Sequence, residues 1–69
     1  MDVVQITSDT AQITLSRAEL IVLNNALNEV CNGIDVFEFG ARIGVTREEA
    51  TLLLTRISSL TEQMTRGTE

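Results

Sequence analysis

The sequence predicts an α+β fold, a β-hairpin followed by three helices, on three observations. Residues 3–7 (VVQIT) and 11–15 (AQITL) alternate apolar and polar side chains and are rich in β-branched residues, as strands are. Ser16-Arg17-Ala18-Glu19 and Thr46-Arg47-Glu48-Glu49 are two capping boxes that open helices. Behind each box, apolar residues recur at helical spacing.

The first run places Val4 and Ile6 on one face of the hairpin, and the second places Ala11, Ile13 and Leu15 together. Between them Ser8-Asp9-Thr10 holds turn-forming side chains but no glycine, so a loop longer than a two-residue primed turn is expected. The first helix, over 16–31, has a core stripe of Leu20, Leu23, Leu27 and Val30, with Ala26 and Cys31 at its margins. Asn32-Gly33 ends it, with the glycine suited to a left-handed position after the helix. A second, short helix is expected over 35–43, with Asp35 as N-cap and Phe37 or Phe39 and Ile43 turned inward. Gly44 breaks it, and a third helix over 46–64 buries Ala50, Leu53, Leu54, Ile57, Leu60 and Met64. The tail 65–69 is expected to fray. The whole chain, 1–69, reads as one small domain.

At this length folding buries only about 60% of the surface of the unfolded chain, and small folds usually carry a staple. Cys31 is the only cysteine and histidine is absent, so neither an internal disulfide nor an ordinary zinc site is available. Cys31 reads as a small buried apolar residue. A second protein chain, in the first instance another copy, is therefore the expected staple. Pairing two hairpins across a dyad would give a four-stranded sheet and a symmetric dimer. The residues assigned to that seam are Val3, Gln5 and Thr7 on the hairpin, with Ile21, Val22 and Leu52 off the helical core stripes.

Charge narrows the function classes. Ten acidic residues face five basic ones, all arginine, for a net charge of −5. Nucleic-acid binding relies on clustered cations, so this balance disfavours nucleic acid and anionic membranes. The chain also lacks His, Lys and Tyr, the usual proton shuttles and amine nucleophiles. Neither catalysis nor a cofactor is expected. No apolar run approaches the ~20 residues of a membrane span, no secretory leader is recognisable, and a cytoplasmic location is expected.

Residues 39–50, FGARIGVTREEA, have the spacing of a helix-turn-helix: a small residue at Gly40 for close crossing, a turn at Gly44, then a capped helix. Its alternative function is DNA binding, with Arg42, Arg47 and Arg56 on phosphates. Against that reading, Glu48 and Glu49 occupy the first turn, where they complement the helix dipole and repel phosphate. Four asparagines, Asn24, Asn25, Asn28 and Asn32, sit where asparagine is a poor helix former. An acidic, Asn-bearing contact face for a protein partner is therefore assigned to Asn25, Asn28, Glu29, Asp35, Glu38 and Glu48.

The stretch 23–34, LNNALNEVCNGI, with Glu38-Phe39 and Arg42-Ile43-Gly44 beyond it, resembles a set of short bacterial proteins with no established activity. The resemblance covers about the central half of the chain. It implies a small, bacterial, cytosolic protein and transfers no site residue. Some such proteins stand beside toxins as immunity partners, which fits an acidic non-enzymatic domain by analogy.

Overall fold

The computed structural model describes residues 1–66. Strands β1 (Asp2–Ile6) and β2 (Ala11–Thr14) form an antiparallel hairpin, followed by helices α1 (Arg17–Asn28), α2 (Phe39–Ile43) and α3 (Arg47–Thr65). The fold is α+β, as the sequence predicts. The remainder of the predicted frayed tail, 67–69, lies outside the described residues, whereas Thr65 is still helical.

Both capping boxes form. Ser16 Oγ accepts from the Glu19 N–H at 3.1 Å, and the Glu19 carboxylate accepts from the Ser16 N–H at 2.9 Å. Thr46 and Glu49 repeat this arrangement at the start of α3, at 3.1 and 3.0 Å. Each box satisfies two of the four amide donors that a helix start leaves unpaired.

The other end of α1 departs from expectation. The helix widens into a π-helical turn, Glu29–Gly33, closed by the Ile34 N–H donating to the Glu29 carbonyl. Gly33 is therefore not a left-handed cap; among the described residues Gly44 is the glycine with a positive φ, +97°. Asp35 does not start a helix either. The chain runs extended at Ile34 and reaches α2 through Glu38, which holds a left-handed backbone at φ 53°. The reason lies in packing: Val36 folds onto the core formed by Cys31, Phe39, Ala50 and Leu54. Phe39 is buried there, while Phe37 is 73% exposed.

The helix pair α1–α3 is rotated relative to the predicted stripes. On α1 and the π turn that continues it the inward line is Leu20, Asn24, Leu27 and Cys31; on α3 it is Ala50, Leu54, Ser58 and Thr61, with Ile57 beside it. Ser58 Oγ donates to Asn24 Oδ1 at 2.7 Å across this contact. Leu23, Leu53, Leu60 and Met64, expected inside, are exposed. A hydrogen-bonded amide–hydroxyl pair satisfies its polar atoms when it is withdrawn from water, so the mixed stripe can face inward. The more apolar stripe is left on the flank.

The predicted close crossing at Gly40 is also absent. A Cβ there would have only the Val45 carbonyl oxygen within reach, at 4.0 Å. The corner owes its turn to Gly44 alone.

Candidate functional site

The described residues present a surface rather than a cleft. It has two parts, and the hairpin carries the first. Its register pairs Asp2 with Thr14, Val3 with Ile13, Gln5 with Gln12, and Ile6 with Ala11, with an irregularity between Val3 and Gln5. Val4 is the extra residue of a bulge, and a bulge resets the alternation of faces. Val3, Ile6, Ala11 and Ile13 therefore share one face, and Asp2, Gln5, Gln12 and Thr14 share the other. This replaces the expected pairing of Val4 with Ile6. The result is a sharply amphipathic hairpin whose apolar face nothing covers: Val3 is 61% and Ile6 71% exposed.

Thr7 builds the turn of this hairpin. Its Oγ1 accepts from the Asp9 and Thr10 N–H groups at 3.2 and 2.9 Å, and its own N–H donates to the Thr10 carbonyl. The six residues assigned to a dimer seam are accordingly not one surface. Val3 lies on the apolar face, Gln5 on the polar face, and Thr7 in the turn. Ile21 is half-buried on α1, Val22 lies beside Met1 and Leu15, and Leu52 stands by Arg47, Glu48 and Thr51.

The second part is an open groove of about 350 Å³ on the flank of the helices, lined by Leu23, Ala26, Leu27, Val30, Ile43, Leu53 and Ile57. Every lining side chain is aliphatic. Leu23 also lines a neighbouring hollow with Met1, Leu15, Glu19 and Val22 at the foot of the hairpin. One residue thus joins the two hollows into an apolar track from hairpin base to groove. Sequence reasoning missed this track because it assigned the same leucines to the interior.

The residues assigned to a polar contact face are all exposed. Asn25, Asn28 and Glu29 share one side of α1 by their spacing. Asn32 Nδ2 donates to Asn28 Oδ1 at 3.1 Å, so this amide pair braces the π turn. Asp35 and Glu38 follow in the loop, while Glu48 stands apart on the hollow beside Leu52.

The cations of the corner are partly committed. Arg47 Nη1 donates to the Cys31 carbonyl at 2.7 Å, and its guanidinium lies 4.5 Å from the centre of the Phe39 ring. It ties the start of α3 to the end of α1, satisfying a carbonyl that the widened turn leaves free and stacking on the core aromatic. Arg42 and Arg56 are exposed. Of the three arginines assigned to phosphates, Arg47 is thus engaged within the fold.

Two carboxylates are held in their charged form. The chain-terminal ammonium donates to Glu19 Oε2 at 2.6 Å. Together with the Ser16 N–H it lowers the Glu19 pKa from 4.5 to about 2. Hydrogen bonds from the Thr46 backbone, then its side chain, lower Glu49. The Glu19 shift comes first from the terminal ammonium and then from its helix cap, and the Glu49 shift from its helix cap. Among the described residues no three His, Cys, Asp or Glu side chains converge as metal ligands, and no helix is long and apolar enough to cross a membrane.

Fold and surface together define a small α+β domain whose most distinctive chemistry is uncovered hydrocarbon. No family model, curated protein or solved structure matches the chain.

Proposed function

We propose that this chain is a non-enzymatic protein-contact domain that works as a homodimer. The observation that carries the reading is the uncovered apolar track. A folded monomer of 7.6 kDa is expected to expose about 4,300 Å², and this chain exposes 5491 Å². The radius of gyration is 13.5 Å against about 11 Å for a compact chain of this length. The excess area is on the order of 1,000 Å², comparable with the ~800 Å² that each partner contributes to a stable interface.

A net charge of −5 leaves the assembled dimer acidic and soluble. Asn25, Asn28 and Glu29, with Asp35 and Glu38 beyond the π turn, then remain free for a second protein of basic character, the role an immunity or regulatory partner would need. Size-exclusion chromatography with light scattering at tens of micromolar is expected to give about twice the chain mass. A strict monomer at that concentration would overturn the reading. Added salt is expected to leave the dimer intact or strengthen it, because the contact is apolar and the protomers share a sign of charge.

A further inference from the structure

Building on the homodimer reading above, we infer that the two copies exchange hairpins: the apolar face of each hairpin lies in the α1–α3 groove of the other. Four observations point to this occupant. First, the uncovered surface of the hairpin is a side-chain face, Val3, Ile6, Ala11 and Ile13. Pairing hairpins edge to edge into a four-stranded sheet would use backbone groups and leave that face in water. The bulge at Val4 also breaks the regular ladder that β1 would offer as an edge.

Second, the groove is its counterpart in chemistry and size. Its lining is aliphatic throughout. Along α1 it runs from Leu23 to Val30, about 10 Å at the helical rise. Along β1 the apolar face runs from Val3 to Ile6, also about 10 Å at the strand rise. A two-stranded ribbon, its strands about 4.8 Å apart, can lie along the open furrow that two packed helices leave on their flank.

Third, the hairpin does not fill the groove of its own chain. No hairpin residue lines it, and the hairpin meets the helical body at its base, where Met1 and Leu15 stand beside Val22 and Leu23. Fourth, a two-fold axis requires each patch to find its complement on the same molecule. Here a convex apolar face and a concave one lie on one chain, so one contact repeated twice covers both. The acidic face of Asn25, Asn28 and Glu29 takes no part in it.

The test uses the full chain and two single variants, Ile6→Cys and Leu53→Cys, both at exposed positions that a cysteine does not disturb in the free chain. Wild-type protein, with its buried Cys31, is the control. The two are mixed in equal amounts, oxidised, and the products identified by mass spectrometry. The expected major product is the disulfide between Cys at 6 of one copy and Cys at 53 of the other. A dimer by light scattering that yields only the 6–6 product, or no cross-link, overturns the exchange and leaves the homodimer standing. A strict monomer overturns both.

A second measurement does not depend on disulfide geometry. Ile6→Asp and Leu53→Asp are each expected to weaken dimerisation about 100-fold. A mixture of the two can form one undamaged hairpin–groove contact, and its dimerisation is expected to recover in part. A variant that dimerises like wild type on its own overturns the exchange, because a hairpin-to-hairpin contact would not feel Leu53→Asp and a groove-to-groove contact would not feel Ile6→Asp; no recovery on mixing overturns it as well.

Discussion

The corner around Phe39 and the hairpin around Ile6 begin from equal hydrophobic promise and end differently. At the corner, Cys31, Phe39, Ala50 and Leu54 close on one another, Val36 folds down on them, and Arg47 clamps the end of α1 to the start of α3. At the hairpin, four aliphatic residues share a face and meet only one another across the strands. The difference is geometric. The corner residues lie on three segments that converge, so each can cover the others. The hairpin is a two-stranded ribbon with no layer above it, and such a ribbon is marginal alone in water. One chain thus covers one of its hydrophobic surfaces and leaves the other uncovered.

The strongest way to break the comparison is to empty the corner. Phe39→Ala is expected to cost about 3–5 kcal/mol and to unfold the domain in a urea melt followed by circular dichroism. Phe37→Ala, two residues away and exposed, should move the midpoint by less than about 0.5 kcal/mol. Equal losses would mean that the corner is not the closed region.

Removing the clamp should cost less. Arg47→Ala is expected to destabilise the fold by about 1–2 kcal/mol, through the hydrogen bond to the Cys31 carbonyl and the contact with the Phe39 ring. Arg47→Lys should recover only part of this, since an ammonium cannot stack as a planar fork does. Full recovery in the same melt would argue that charge alone matters.

The two glycines of the corner divide it more finely. Gly44→Ala is expected to cost about 1 kcal/mol, because a side chain at φ +97° is strained. Gly40→Ala has open space for its Cβ and a helical backbone, and is expected to stabilise by up to about 1 kcal/mol. Thermal melts of the pair would show opposite signs if Gly44 alone makes the turn.

The smallest effect is that of acid. Folding lowers the Glu19 pKa from 4.5 to about 2 and lowers that of Glu49 as well. A depressed folded pKa adds stability above the unfolded value and loses it as pH falls through the folded one. The melting temperature is therefore expected to decline as pH falls from about 4.5 toward 2, modestly, since both carboxylates are solvated. Glu49→Gln should flatten part of that decline by removing the carboxylate that the Thr46 N–H and hydroxyl hold charged; an unchanged slope would show that the α3 cap does not contribute.

Much of the fold is legible in the residues. Ser16-Glu19 and Thr46-Glu49 mark helix starts through local hydrogen bonds that need no tertiary partner, and β-branched alternation marks the strands. The uncovered surface is less legible. Leu23, Leu53 and Leu60 have the right spacing to be core residues, and periodicity cannot distinguish a stripe that faces a neighbouring helix from one left uncovered. Asn24 and Ser58 mislead in the opposite sense, since a hydrogen bond between them lets two polar residues occupy the inward line. The left-handed Glu38 carries no signal at all, because glycine or asparagine is what that backbone would favour.

The sequence by itself determined the order of elements, the starts of α1 and α3 and the turn at Gly44, because capping, alternation and glycine conformation act within a few residues. Tertiary structure alone decided which helical stripe turns inward, that Val36 and not Phe37 joins the core, and that the Val4 bulge gathers Val3, Ile6, Ala11 and Ile13 on one face. Those outcomes depend on the rotation of one segment against another, a relation between distant residues that no local pattern contains.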